Sequence, residues 1–294
     1  MTASRLRAGA TGYAFILPAV ILVTVFLLIP IGFVLYISFQ KWGILGEPRF
    51  VGLDNYEFLL GDDRFWDAVR NTIYYAVLAV PTQIALGLLL AVLVNKKVPG
   101  RSVFRTAFFM PLAVSFVAGG ILFNWILTAT PLQGFVPNLL GNLGIPFPSW
   151  QTTDGAWAMV MIVLMNTWKS AGYCMVIYLA GLQGINREYN EAAALDGART
   201  EWQLFRHITW PLLAPTTFLL VVTTTIFTVR GFEPIFVMTQ GGPSGATTTL
   251  VYYLYEKFPN LMGVSSAAAT FLLIGMLGLT LLQFLANRQR STYY

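Results

Sequence analysis

The sequence predicts an all-α integral membrane protein with six transmembrane helices and both ends on the inner side of the membrane. Three observations carry that prediction. Hydrophobic residues make up 56% of the 294-residue chain and charged residues only 11%, against about 25% charged in an average soluble domain. Several apolar runs reach the roughly 20 residues a helix needs to cross a bilayer. Lysine and arginine are unevenly divided among the segments joining those runs, as the positive-inside bias requires.

The runs lie at 13–39, 72–94, 103–127, 157–182, 212–237 and 265–286. Arg5 and Arg7 precede the first, as in a secretory leader. Its apolar stretch exceeds the roughly 7–15 residues of a signal core, and no small-x-small cleavage pattern follows, so it is expected to remain as a span. Prolines 18, 30, 81 and 111 fall inside or at the ends of the runs, which neighbouring helices in a membrane bundle tolerate. With the N-terminus inside, the inner set of cations is Arg5, Arg7, Lys96, Lys97, Arg101, Arg105, Arg187, Arg199, Arg206, Arg288 and Arg290. The outer set is Lys41, Arg49, Arg64, Arg70 and Lys257. Residues 1–12 and 287–294 are therefore inner tails flanking a membrane domain at 13–286. The basic excess is a signal of topology, and a nucleic-acid partner is excluded on that ground. A single cysteine, Cys174, and a single histidine, His207, without CxxC or HExxH, predict neither a disulfide nor a bound metal. The outer segments 40–71 and 128–156 read either as connectors anchored by interfacial Trp and Tyr or as a docking surface for a partner outside.

The inner segment 183–211 is unexpectedly polar for its surroundings, with Glu188, Glu191, Asp196, Arg199, Glu201, Arg206 and His207. After Asn186, the helix-forming run REYNEAAALD stops at Gly197, the usual left-handed C-cap. Thr200-Glu201-Trp202-Gln203 is a capping box that opens a second short helix, expected to end near Thr209. A break is expected at Trp210, because the residue before a proline disfavours helix. On this pattern alone the pair could rest on lipid head groups. Alternatively, Ala192, Ala193 and Ala194 admit close approach by another surface, to which Trp202 and Phe205 offer apolar bulk.

Within the spans, Lys169 stands near the middle of the fourth, and Arg230 and Glu233 stand three residues apart in the fifth. A charge at the centre of a membrane helix costs roughly 2.5–3.5 kcal/mol on insertion scales, so such groups face protein or water. Arg230 and Glu233 could form an ion pair on one helix face, and Lys169 could be a packing or pairing residue. Alternatively all three line a path for a solute, with Asn166 and Tyr173 beside Lys169 at helical offsets.

The pattern EAA-x3-G followed by Ile208 and Pro211 resembles the EAA loop of binding-protein-dependent ABC importer permeases. The likeness covers most of the chain. FVGLDNYEFLL, NTWKSAGYCMVIYLAGLQGI and GFEPIFVMTQGGPSGATTTLVYYLY are similar to the carbohydrate-uptake, maltose-permease-like branch, and most of all to glycerol-3-phosphate or glycerophosphodiester permease subunits of the A type. The pattern departs in two places: ten residues rather than nine separate Gly197 from Ile208, and Trp210 replaces the usual Leu. The resemblance implies the type I importer permease fold, with residues 183–211 forming a coupling loop for a separate ATPase. It assigns contact with that ATPase to Glu191, Ala192, Ala193, Asp196 and Gly197. It also implies a second permease as heterodimer partner, two ATPase copies holding the ATP and magnesium, an extracytoplasmic substrate-binding protein, and residence in a bacterial inner membrane. The chain itself is expected to bind no cofactor. Consistent with this, no GxxxxGK[ST] phosphate loop occurs, and GGPSGATT reads as a turn. An intramembrane enzyme would need converging acid, base or metal groups, whereas the carboxylates are dispersed. An ion-driven transporter would show buried carboxylates in paired broken spans, and only Glu233 qualifies.

Overall fold

The computed structural model describes residues 13, 15–44, 46–96, 99–128, 134–152, 154–198 and 200–288. The inner tail 1–12 and residues 289–294 lie outside the described residues, as do Lys97 and Arg199. Among the described residues, four helices are long and apolar enough to cross a membrane, and two bent helix pairs raise the total to as many as six. The chain packs as two units, one formed by the N-terminal part to Asp63 with Tyr253–Gly275, the other by Arg64–Tyr252 with the segment from Met276.

In the first unit, α1 (Phe15–Ser38) is a nearly uniform apolar helix with little of its surface buried, as expected of a span surrounded by lipid. It ends in a short antiparallel pair, β1 (Gln40–Lys41) and β2 (Arg49–Phe50), followed by α2 (Asp54–Leu60). Asn55 in α2 donates to the carbonyls of Ser38 (2.8 Å) and Gln40 (2.9 Å), fixing the exit of α1. Asp62 accepts from the Tyr253 hydroxyl at 2.7 Å and pairs with Lys257 at 3.3 Å, joining two segments both assigned to the outer side.

In the second unit, α3 (Asp63–Asn95) starts nine residues before the expected position. Residues 63–71 are not apolar enough to count as span, but they carry a helical period: Phe65 and Ala68 are fully buried, while Asp67 and Arg70 pair on the opposite face at 2.9 Å. The third run is not one helix. The helix α4 (Arg101–Phe109) tightens into a 3₁₀ turn at Met110–Ala113, Val114 and Ser115 are extended, and α5 (Phe116–Leu127) leaves at 100°. Pro111 removes a backbone donor there, and Ser115 caps α5 by accepting from the Ala118 amide at 3.1 Å. After α6 (Phe135–Asn142), Trp150 is fully buried and donates to the Leu127 carbonyl at 2.8 Å. It is thus a core residue, not the interfacial anchor expected of the outer segment.

The long helix α7 (Gly155–Gly184) is the core of this unit, with 15 of its 30 residues buried. Met159, Ile162 and Met165 pack with Tyr75, Ala79, Ile235 and Met238. Further along, Cys174, Met175 and Tyr178 pack with Val80, Ile84, Leu213 and Leu220. Two glycines permit these contacts: a Cβ on Gly87 would collide with Cys174, and one on Gly172 with the Phe108 carbonyl. Backbone atoms cannot rotate aside, so Gly172→Ala is expected to destabilise the protein by about 1–3 kcal/mol, the usual cost of overpacking. Thermal unfolding in detergent measures this, and an unchanged transition would refute the close approach.

The segment assigned to the inner side forms α8 (Arg187–Leu195) and α9 (Glu201–Leu212), the latter with a π turn at Phe205–Thr209. The break expected at Trp210 is absent, since that residue is helical (φ −63°, ψ −46°). The wider π turn delivers the Trp210 amide to the Phe205 carbonyl, and Pro211 then falls in the first turn of the following α segment, where no donor is needed. The bend, of 63°, comes instead before α10 (Ala214–Val229). The fifth run is interrupted as well, because α10 ends at Val229 and α11 (Glu233–Met238) begins anew. In a continuous helix the Pro234 ring would strike the carbonyl of residue 230. Arg230 and Glu233 are consequently not on one helix face, and no ion pair joins them. GGPSGATT forms a turn, with positive φ at Gln240, Gly241, Ser244 and Gly245. Asn71 donates to the Gly245 and Thr248 carbonyls, at 3.0 and 3.1 Å, holding this turn against α3. The remaining helices are α12 (Leu250–Lys257) and α13 (Met262–Arg288).

Candidate functional site

The break between α4 and α5, the middle of α7 and the end of α10 enclose a cavity of about 680 Å³, within the roughly 300–1,000 Å³ of small-molecule sites. All five residues expected along a solute path, Asn166, Lys169, Tyr173, Arg230 and Glu233, line it. Their surroundings divide them by role. Lys169 is 5% exposed, donates to the carbonyls of Leu112 (3.0 Å) and Val114, and lies 4.7 Å from the Phe116 ring centroid. Its ammonium satisfies acceptors that the helix break leaves without intrahelical donors, so the charge is committed to the scaffold. Asn166 donates to the Tyr75 hydroxyl at 2.7 Å and accepts from Ser170 at 3.3 Å, which stiffens the wall between α3 and α7. Tyr173 meets Phe227 edge to face at 6.3 Å.

Arg230 and Glu233 differ from these. Both are exposed to the cavity side of the broken fifth run and neither forms an ion pair among the described residues. The lining also includes Tyr75, Gln83, Ser115, Ser170, Thr224 and Thr228, none of which was anticipated. A lone amide such as Gln83 within an apolar run was the available signal. The threonines carried none, because Thr224 satisfies its own hydroxyl on the Leu220 carbonyl and is common in buried helices on that account.

In the segment assigned to the inner side, the residues expected to couple to a partner form a well-defined elbow. Gly197 has φ +93°, and the Ala198 amide donates back to the Ala193 carbonyl at 2.9 Å, closing α8 with a 6→1 bond. The Thr200–Gln203 capping box is present in both directions, at 3.1 and 3.2 Å. Glu191, Ala192, Asp196 and Gly197 are exposed and Ala193 is buried. Leu195, overlooked in the sequence, is 91% exposed and stands with Tyr189 and Trp202 as uncovered apolar surface around the elbow. Glu201 pairs with Lys96 at 2.7 Å, so the loops after the second and fourth runs meet on one side, in keeping with their common inner assignment. The pair is exposed and contributes little stability.

A bundle of apolar helices, with a cavity at its broken spans that carries a few charged and polar side chains, and with an exposed helical elbow on one side, is the architecture of a transport permease. The chain belongs to the family described as binding-protein-dependent transport system inner membrane component, which it matches over residues 63–291. It is 37% identical to the lactose transport system permease protein LacF of Rhizobium radiobacter, over 95% of each chain. It is 35% identical to the sn-glycerol-3-phosphate transport system permease protein UgpA of Agrobacterium fabrum, over 96% of each. A chain of the bacterial alginate ABC transporter, solved in complex with an alginate pentasaccharide-bound periplasmic protein, superposes with a TM-score of 0.84 at 25% identity, covering 97% of this chain and 96% of that one. The protein is therefore a multi-pass translocation component of a binding-protein-dependent ABC importer.

Proposed function

We propose that this permease carries a hydroxylated solute with a phosphate group, glycerol-3-phosphate or a glycerophosphodiester, across a bacterial inner membrane. The observation that carries this reading is Arg230, which lines the cavity without an ion pair among the described residues, on a wall that also carries hydroxyl and amide groups. A guanidinium binds phosphate oxygens in bidentate fashion. The likeness to UgpA supports the same class. A neutral sugar is the second reading, supported by Glu233, which offsets the charge of Arg230 in the same cavity, and by the likeness to LacF.

In this proposal the bent pairs are the third and fifth of six spans, and both termini are cytoplasmic. A second permease completes the pathway. Two copies of a partner ATPase, which hold ATP and magnesium, receive the elbow at Glu191–Gly197, and an external binding protein delivers the solute. Closure of the ATPase pair moves the elbow and opens the cavity outward. Arg230→Ala is expected to reduce glycerol-3-phosphate uptake by about 10–100-fold, as loss of a charge-assisted hydrogen bond implies, with recovery of the assembled importer unchanged. Uptake in vesicles containing the full importer measures this. Normal uptake by the variant would remove Arg230 from the path, and lactose uptake without glycerol-3-phosphate uptake would favour the neutral-sugar reading.

A further inference from the structure

Gln83 is 1% exposed, lines the cavity, and its Nε2 has no hydrogen-bond partner among the described residues. A buried amide donor left unmade is expensive, and within a membrane span no bulk solvent offsets it. Several other polar groups of the cavity wall are engaged elsewhere: Asn166 with Tyr75 and Ser170, Lys169 with the Leu112 and Val114 carbonyls, Thr224 with Leu220. Register also fixes Gln83. It lies one turn before Gly87, where α3 approaches α7 so closely that a Cβ would collide with Cys174. That crossing leaves the amide little freedom to find a partner outside the cavity.

We infer that Gln83 is a specificity-determining contact that reads a hydroxyl group of the transported solute. An amide presents a donor and an acceptor side by side, matching the paired donor and acceptor of a sugar or glycerol hydroxyl. This inference rests on the proposed solute class but is indifferent to the phosphate: Arg230 would read the charge, and Gln83 the hydroxyls that a phosphoglycerol and a neutral sugar share. A site built to hydrogen-bond a hydroxyl rejects the deoxy analogue, because its own polar group is then left unpaired.

The test uses the full importer in vesicles, with uptake of sn-glycerol-3-phosphate, glycerophosphocholine, lactose and the monodeoxy analogues of each. Gln83→Leu fills the same volume without the amide, and Gln83→Asn restores a shortened one. The expected result is that wild type prefers the parent solute over one deoxy analogue by about tenfold or more, and that Gln83→Leu abolishes this preference. The variant should raise the half-saturating concentration of the parent solute without lowering the unfolding temperature, because it removes a buried donor that has no partner among the described residues, and Gln83→Asn should recover part of the preference. Preservation of the wild-type preference in Gln83→Leu overturns the inference and leaves the solute class standing. Equal loss of parent and deoxy uptake together with lowered unfolding temperature also overturns it, assigning Gln83 to packing. If wild type imports none of these solutes, the proposed solute class falls and the inference with it.

Discussion

Lys169→Met is expected to weaken the protein by about 2 kcal/mol, because it strands two part-buried carbonyls, each near the lower end of the roughly 1–3 kcal/mol that an unmade buried acceptor costs. Those carbonyls, of Leu112 and Val114, belong to the segment where the third run turns through 100°. They lie on the cavity wall, and non-helical backbone at membrane depth is tolerated only where protein or a polar cavity satisfies it; here the Lys169 ammonium does so. Methionine preserves most of the side-chain volume, so the loss would report the ammonium and not packing. The measurement is thermal unfolding of the solubilised chain alongside recovery of the assembled importer. A variant that unfolds normally and assembles but fails to import would place Lys169 on the solute and refute its role at the break.

The second large effect is expected at the elbow. Gly197→Val forces a branched side chain into φ +93°, a region that costs L-residues roughly 1–2 kcal/mol and branched ones more. The C-cap of α8 should unwind and carry Glu191 through Asp196 out of position, while the spans remain inserted. Under the proposed coupling role, Gly197→Val combined with Glu191→Ala is expected to abolish co-purification of the ATPase and reduce uptake to background. Retention of the ATPase with normal uptake would return the elbow to an interfacial helix pair on lipid.

The elements read most directly from sequence were those governed by local chemistry. Apolar length located the long helices, and Gly197 with Thr200-x-x-Gln203 located both ends of the elbow, because caps depend on neighbours a few residues away. The third and fifth runs were misread as continuous. Composition cannot distinguish a kinked span from a broken one; Pro111 and Pro234 break theirs because Ser115 and the first turn of α11 offer new helix starts, whereas Pro81 is accommodated within α3. The cavity was legible only through its charges. Arg230, Glu233 and Lys169 were conspicuous against an apolar background, yet that contrast could not reveal that Lys169 serves the backbone. Gln83 and Tyr75 became significant only when the crossing of α3 and α7 placed them on one wall.

The dependence of the α4–α5 turn on Lys169 has a bearing on biogenesis. The lysine follows its acceptors by 57 and 55 residues, so it is synthesised well after them. At elongation rates of about 5–20 residues per second, several seconds separate the arrival of the turn from that of the cation that completes it. During that interval the nascent segment must be sheltered at the insertion machinery or at the membrane surface, not released into lipid. The lysine then arrives within the next run, so the third and fourth runs are expected to enter the bilayer as a pair.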